Sequence, residues 1–184
     1  NEGFEVVIID NLSNSSEEVL KGIVAITGKM PIFEKMDLRE KSAVQDFFKN
    51  PETIVQAIKK SELKTSGEIK VHVESNCPKE VMEQAKDVFF SLKMDQLPNK
   101  NGVLIYISTE DKKICILGDK NIDLKTGVNF WNDTVSQMSE SFKKELFDEG
   151  VIQAISEIGS KLLDYFPYDS ITDENELNDD ISYG

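Results

Sequence analysis

Ser66-Gly67-Glu68-Ile69-Lys70-Val71-His72-Val73-Glu74, Asn101-Gly102-Val103-Leu104-Ile105-Tyr106-Ile107-Ser108 and Lys113-Ile114-Cys115-Ile116-Leu117-Gly118-Asp119 are the runs that decide the fold. Each is short and rich in β-branched residues, and each is flanked by glycine, asparagine or aspartate, the punctuation of strands. Between the first two, Val81, Met82, Ala85, Val88, Phe89 and Leu92 recur at helical spacing. A strand-helix-strand unit makes the first two strands parallel. Glu110-Asp111-Lys112 is a tight turn, so the third strand returns antiparallel. Continuous apolarity over Val103–Ile107 marks the central strand, buried on both faces. In the first strand Ile69, Val71 and Val73 alternate with Lys70, His72 and Glu74, which predicts a strand covered on one face only.

Working outward, Glu52–Leu63 forms a helix presenting Ile54, Val55 and Ile58, and Asn50-Pro51 is the seam before it. Asn76-Cys77-Pro78 opens the helix inside the nucleus. Phe130, Trp131, Val135, Met138 and Phe142 mark a further helix. Val151, Ile152, Ile155, Ile158, Leu162 and Leu163 mark another, preceded by Gly150 and ended by Pro167. From Asp169 to Gly184 the chain is acidic and weakly apolar, an expected tail that drapes or frays.

The first fifty residues have their own grammar. Phe4–Ile9 is a strand closed by Asp10-Asn11, Ser13–Glu18 caps a helix carrying Leu20, Ile23 and Val24, and Pro31-Ile32-Phe33 begins a second strand ending at Asp37. Arg39–Lys49 reads as another helix, completing a β-α-β-α run of the parallel, Rossmann-like kind.

The 184 residues have room for one ordinary domain and a small extra unit. With 39% hydrophobic and 30% charged residues the chain is of the water-soluble globular class. Asp and Glu number 34 against 21 Lys and Arg, a formal charge of -13 that disfavours nucleic acid and anionic lipid and favours cations. No apolar run reaches the ~20 residues of a membrane helix, and no leader is visible, so a cytoplasmic location is expected. Two cysteines, Cys77 and Cys115, have no metal spacing and read as free thiols, separated in the fold.

Topology alone gathers a set of oxygens. Ser66 and Glu68 begin the first strand, Asn101 and Gly102 the second, and Gly118 and Asp119 end the third, so all lie at one edge of the sheet. Glu68, Asn101, Gly102 and Asp119 are the candidate ligands for a hard divalent cation, Ca²⁺ or Mg²⁺, which takes oxygen donors of this kind. Asp123 and Asp95 are secondary candidates, and Glu74, Ser75 and Glu110 form a weaker set at the opposite edge. The structural alternative is that the glycines serve turns and Asp119 caps a loop. His72 is the sole histidine, so a histidine pair for metal binding or phosphoryl transfer is excluded; a strand histidine of this kind reads as surface. Asp123-Leu124-Lys125-Thr126-Gly127 misses the ion-pump phosphorylation motif by an inserted leucine. The aromatic and methionine residues at helical spacing, Trp131 among them, read as core.

Two resemblances add to this. Gly3–Ser15 and Asp37-Leu38-Arg39 resemble the amino-terminal part of the UDP-glucose 4-epimerase family. There the residues matching Asp10, Asn11, Asp37 and Leu38 contact the adenosine. The glycine-rich pyrophosphate turn and a Tyr-x-x-x-Lys pair have no counterpart in this sequence, so neither NAD binding nor epimerase chemistry is expected. Ser66-Gly67-Glu68-Ile69, Asn101–Tyr106, Ile116–Lys120, Phe130-Trp131, Gly150 before Ala154-Ile155, and the final Asn175–Ser182 together resemble the TPM domain family.

That resemblance covers roughly residues 52–184. It implies an α/β/α sandwich around a small mixed sheet, divalent-cation binding in some members and weak acid phosphatase activity in a plant branch. The resulting organisation is a Rossmann-like fragment over 1–50, a TPM domain over 51–168 and an acidic tail over 169–184. A non-catalytic module that binds a divalent cation and a protein partner ranks first. A weak metal-assisted phosphatase ranks second, because no arginine follows Arg39 to clamp a phosphate.

Overall fold

A computed structural model describes residues 7–10, 32–35, 44, 46–168 and 177–184. The chain divides into two units, Asn1–Ala43 and Val44–Gly184. In the first, β1 (Val7–Asp10) and β2 (Ile32–Lys35) pair in parallel, Val7 opposite Ile32 and Asp10 opposite Lys35. Parallel pairing agrees with the β-α-β reading. The helix expected between these strands lies outside the described residues.

The second unit contains α1 (Pro51–Glu62), β3 (Ile69–Glu74), α2 (Val81–Ser91), a 3-10 turn (Met94–Gln96), β4 (Val103–Ser108) and β5 (Lys113–Gly118). After these come α3 (Lys120–Thr126), α4 (Val128–Phe142), α5 (Phe147–Tyr165) and β6 (Ser182–Tyr183). The sheet order is β5-β4-β3-β6. β3 and β4 run parallel with Ile69 opposite Val103, and β4 and β5 antiparallel with Val103 opposite Gly118. This is the mixed nucleus the sequence predicts, and every residue of β4 is buried.

The pleat sends alternate residues to opposite faces. Ile69, Val71, Val73, Val103, Ile105, Ile107 and Ile116 enter the larger core with Ile54 and Ile58 of α1, Ile122 of α3, Trp131 and Met138 of α4, and Val151, Ile155, Ile158 and Leu162 of α5. On the other face, Leu104, Tyr106 and Cys115 meet Ala85, Val88 and Phe89 of α2, Met94 and Cys77. Three layers result, α/β/α, with one helix on the thinner side.

Helices α1 and α5 come close because Gly159 has no side chain: a Cβ there would stand 2.7 Å from Ser61 Cβ. Asp148, at the start of α5, accepts from Lys49 N (3.1 Å) and Asn50 N (2.7 Å) and so ties down the chain before α1. Pro51 opens α1, where a missing N–H costs nothing.

Several sequence expectations change here. The end of the chain is not merely a draped tail: β6 pairs in parallel with β3, His72 opposite Ser182 and Val73 opposite Tyr183, and Ile181 is buried. β3 is therefore covered on both faces and His72 is buried, not surface. Cys77 and Cys115 share one small core rather than lying apart. α2 is capped by Glu80, whose carboxylate accepts from Met82 N and Glu83 N, so Pro78 precedes the helix.

Ile155 is fully buried where α5 meets the sheet. Ile155→Ala should lower unfolding free energy by about 2–5 kcal/mol with an unchanged denaturant slope, read by urea titration.

Candidate functional site

The backbone brings the three candidate segments together. Val103 N donates to Glu68 O (2.8 Å) and Asp119 N donates to Gly102 O (2.8 Å), so residues 68, 102 and 119 form one line across the sheet edge. Side chains then separate them. Asn101 is buried, and its Nδ2 donates to Ser66 O at 2.8 Å. Gly102 is tight: a Cβ there would stand 2.6 Å from Leu97 Cδ1. Glu68 is buried and accepts from Leu177 N (3.3 Å), on the flank that carries Glu62, Lys70 and the end of the chain.

Asp119 stands at the opposite flank, before α3. Its Oδ1 accepts from Lys120 N at 2.7 Å, the cap that the structural alternative foresaw. Its Oδ2 is buried and has no hydrogen-bond partner among the described residues. Four residues on, Asp123 Oδ1 accepts from Trp131 Nε1 at 2.6 Å. Gly118 makes room for that pair, since a Cβ would meet Asp123 Oδ1 at 2.6 Å and Trp131 Cζ2 at 2.8 Å.

Asp123 is exposed as a residue, but this oxygen is drawn against the strand end. Desolvation raises its carboxyl above 3.8, the Trp131 hydrogen bond opposes that, and the negative charge of Asp119 adds to it. The edge thus holds an Asp119–Asp123 carboxylate pair, with Asn101 and Gly102 on the adjoining strand.

Asp123 was only a secondary candidate from sequence, and Trp131 read as core. Nothing in their spacing announces the contact, because a helix break at Gly127 (φ +75°) folds one onto the other. Asp95 sits in the 3-10 turn Met94–Gln96. Among the described residues no three His, Cys, Asp or Glu side chains gather as a metal cluster.

At the Glu68 flank, Glu62 Oε1 accepts from Ile69 N (2.8 Å), and burial, with the neighbouring Glu68 and Asp179, raises its carboxyl to about 9. Lys70 Nζ donates to Asn178 O.

Two outcomes follow from these protonation states. Since the folded Glu62 lies above its unfolded value, its stabilisation is complete below 4.5 and is lost as pH rises through about 9. Stability measured by urea should fall progressively between pH 4.5 and about 9 and level off above that, and Glu62→Gln should flatten the fall. Trp131 is the sole tryptophan, so its emission reports Asp123 directly. The emission should titrate with a midpoint above 3.8, and Asp119→Asn should move that midpoint down by removing the neighbouring charge.

Comparison with known proteins fits this architecture. The UDP-glucose 4-epimerase of Bacillus subtilis is 44% identical over 68 residues, 37% of this chain and 20% of that enzyme. The epimerase of Dictyostelium discoideum is 44% identical over 46 residues, 25% of this chain and 13% of that one. The chain thus spans a fifth or less of these curated relatives. The NMR structure of the BA42 protein from the psychrophilic bacterium Bizionia argentinensis is 40% identical, with a TM-score of 0.68, over 74% of this chain and 93% of that one. The TPM domain model matches residues 45–161, the span that carries β3, β4 and β5 of the sheet, α1–α4 and most of α5. This chain belongs to the TPM domain family.

Proposed function

We propose that the domain is a non-catalytic module that binds one divalent cation, Ca²⁺ or Mg²⁺, at the Asp119 edge of the sheet and presents that edge to a protein partner. The observation that carries this reading is the buried, unpartnered Oδ2 of Asp119 next to a second carboxylate, Asp123. A buried acceptor without a partner costs about 1–3 kcal/mol, more when charged, and a cation between the two carboxylates removes that cost. Asn101 and Gly102 contribute neutral oxygens on the adjoining strand. Glu68, committed to Leu177 N on the far flank, bounds the site rather than centring it.

Two carboxylates with neutral oxygens and water suit a hard cation that keeps part of its hydration shell. So few charged ligands place the dissociation constant on the order of 10⁻⁴–10⁻³ M. The net charge of -13 raises the local cation concentration without fixing a site.

A cation bound only by the folded state stabilises it by about 2.7 kcal/mol at a hundredfold excess over the dissociation constant. The melting temperature should therefore rise with free Ca²⁺ or Mg²⁺, and Trp131 emission should change along the same isotherm. Asp119→Asn and Asp123→Asn should each abolish both responses. A melting temperature and emission indifferent to millimolar concentrations of both ions would overturn the reading.

A further inference from the structure

The even-numbered side of β3 is a row of buried polar groups: Glu68, Lys70, His72 and, half-buried, Glu74. The end of the chain covers this row and meets it residue by residue. Leu177 N donates to Glu68 Oε2, Lys70 Nζ donates to Asn178 O, His72 Nδ1 lies 2.5 Å from Ser182 Oγ, and Gly184 N donates to Val73 O at 3.1 Å. A Cβ on Gly184 would stand 3.1 Å from His72 Nε2, so the last described residue lies directly over the imidazole. The strand ladder itself is only two residues long, so the segment relies on these side-chain contacts.

His72 is the weak link in that row. Its Nε2 is buried without a hydrogen-bond partner among the described residues, and the nearest anion, Glu74 Oε2, is 4.0 Å away. Glu74 is not free to close the gap. Its Oε1 accepts from the Tyr106 hydroxyl of β4 and from Gln84 Nε2 of α2 at 2.9 Å. Tyr106 also stacks on the imidazole, with ring centroids 6.0 Å apart. β6 brings only a hydroxyl and backbone to this site. Lys70, two residues down the strand, is surrounded by Asp180, Asp179, Glu62 and Glu68.

An imidazolium here would be buried, 4.0 Å from Glu74 Oε2, the nearest anion among the described residues, and covered by the Ser182 hydroxyl and the backbone of β6. Water reaches it most cheaply if the cover lifts.

We propose that residues 182–184 are an acid-released strap: protonation of His72 lifts them from the edge of β3 while residues 177–180 stay seated. The direction agrees with the protonation equilibria on both sides. Burial lowers the His72 pKa below 6.5, with Glu74 opposing, so the stabilisation it contributes is present above 6.5 and lost as pH falls through the folded value. Glu62, hydrogen-bonded to Asp179 at the other end of the segment, works in the reverse sense and is most stabilising in acid. Acid also keeps Lys70 charged for its bond to Asn178. One end of the strap loosens under conditions that favour the other.

The test is a proton and nitrogen NMR titration of the full chain from about pH 8 to about pH 5, reading the His72 ring and the amides of Leu177, Asp180 and Gly184. The His72 midpoint should fall below 6.5. Gly184 should lose exchange protection at that same midpoint, while Leu177 and Asp180 keep theirs. Glu74→Gln removes the negative charge that favours the imidazolium and should move both events together to lower pH. His72→Gln should leave Gly184 protected throughout. Titration of His72 with Gly184 still protected overturns the proposal. A midpoint at or above 6.5, or loss of all three amides in one step, overturns it as well.

Discussion

The pleat of β3 is the constraint from which most of this domain follows. Period two sends Ile69, Val71 and Val73 into the larger core and leaves Glu68, Lys70, His72 and Glu74 on the face opposite. One helix, α2, is too little to cover that face across four strands. An apolar segment over the row would strand a lysine, an imidazole and carboxylates without partners, at several kcal/mol each. The cover must therefore be polar and extended, so that backbone N–H and C=O groups meet the row at every second residue. Asn178, Ser182 and the backbone at Leu177 and Gly184 meet that requirement. The same pleat separates the sheet edge into two electrostatic flanks, one with Glu68 and one with Asp119.

Much of this architecture is legible in the residues, because the signals are local. Val103–Ile107 can only be a central strand, and the turn at Glu110–Lys112 fixes the direction of β5. The apolar periodicity of α2, α4 and α5 is equally plain. From strand directions alone, Ser66, Asn101 and Asp119 fall at one edge, and the hydrogen bonds from Val103 to Glu68 and from Asp119 to Gly102 bear this out for the backbone.

What sequence does not reveal is anything that depends on distant segments meeting. His72 looks half-exposed until Ser182, 110 residues away, is laid over it. Asp123 looks like a loop acid until the break at Gly127 turns Trp131 back onto it. Cys77 and Cys115 look separate until the loop before α2 folds down beside β5. Periodicity predicts which face a residue takes, and it is silent on what arrives to cover that face. Where the covering segment is short and polar, composition misleads in a definite direction: residues 177–184 read as solvent-loving because hydrogen-bonding groups are what their neighbours on β3 require.

Asp119 shows how far energetics can separate a structural role from a binding one. A side-chain cap contributes about 1 kcal/mol to a helix, and α3 has only seven residues to stabilise. That cap uses one oxygen. The other is buried beside a second carboxylate, a placement that costs about as much as the cap returns. Asparagine or serine would cap α3 equally well without the like charge of Asp123 four residues on. Stability alone therefore gives no preference for aspartate at position 119, and this is the ground on which the proposed cation at this edge rests. Trp131 strengthens the argument, because its indole N–H fixes Asp123 in place when a free carboxylate would swing away from Asp119 into water. An arrangement that holds two carboxylates together against both repulsion and hydration is one that the proposed cation would relieve.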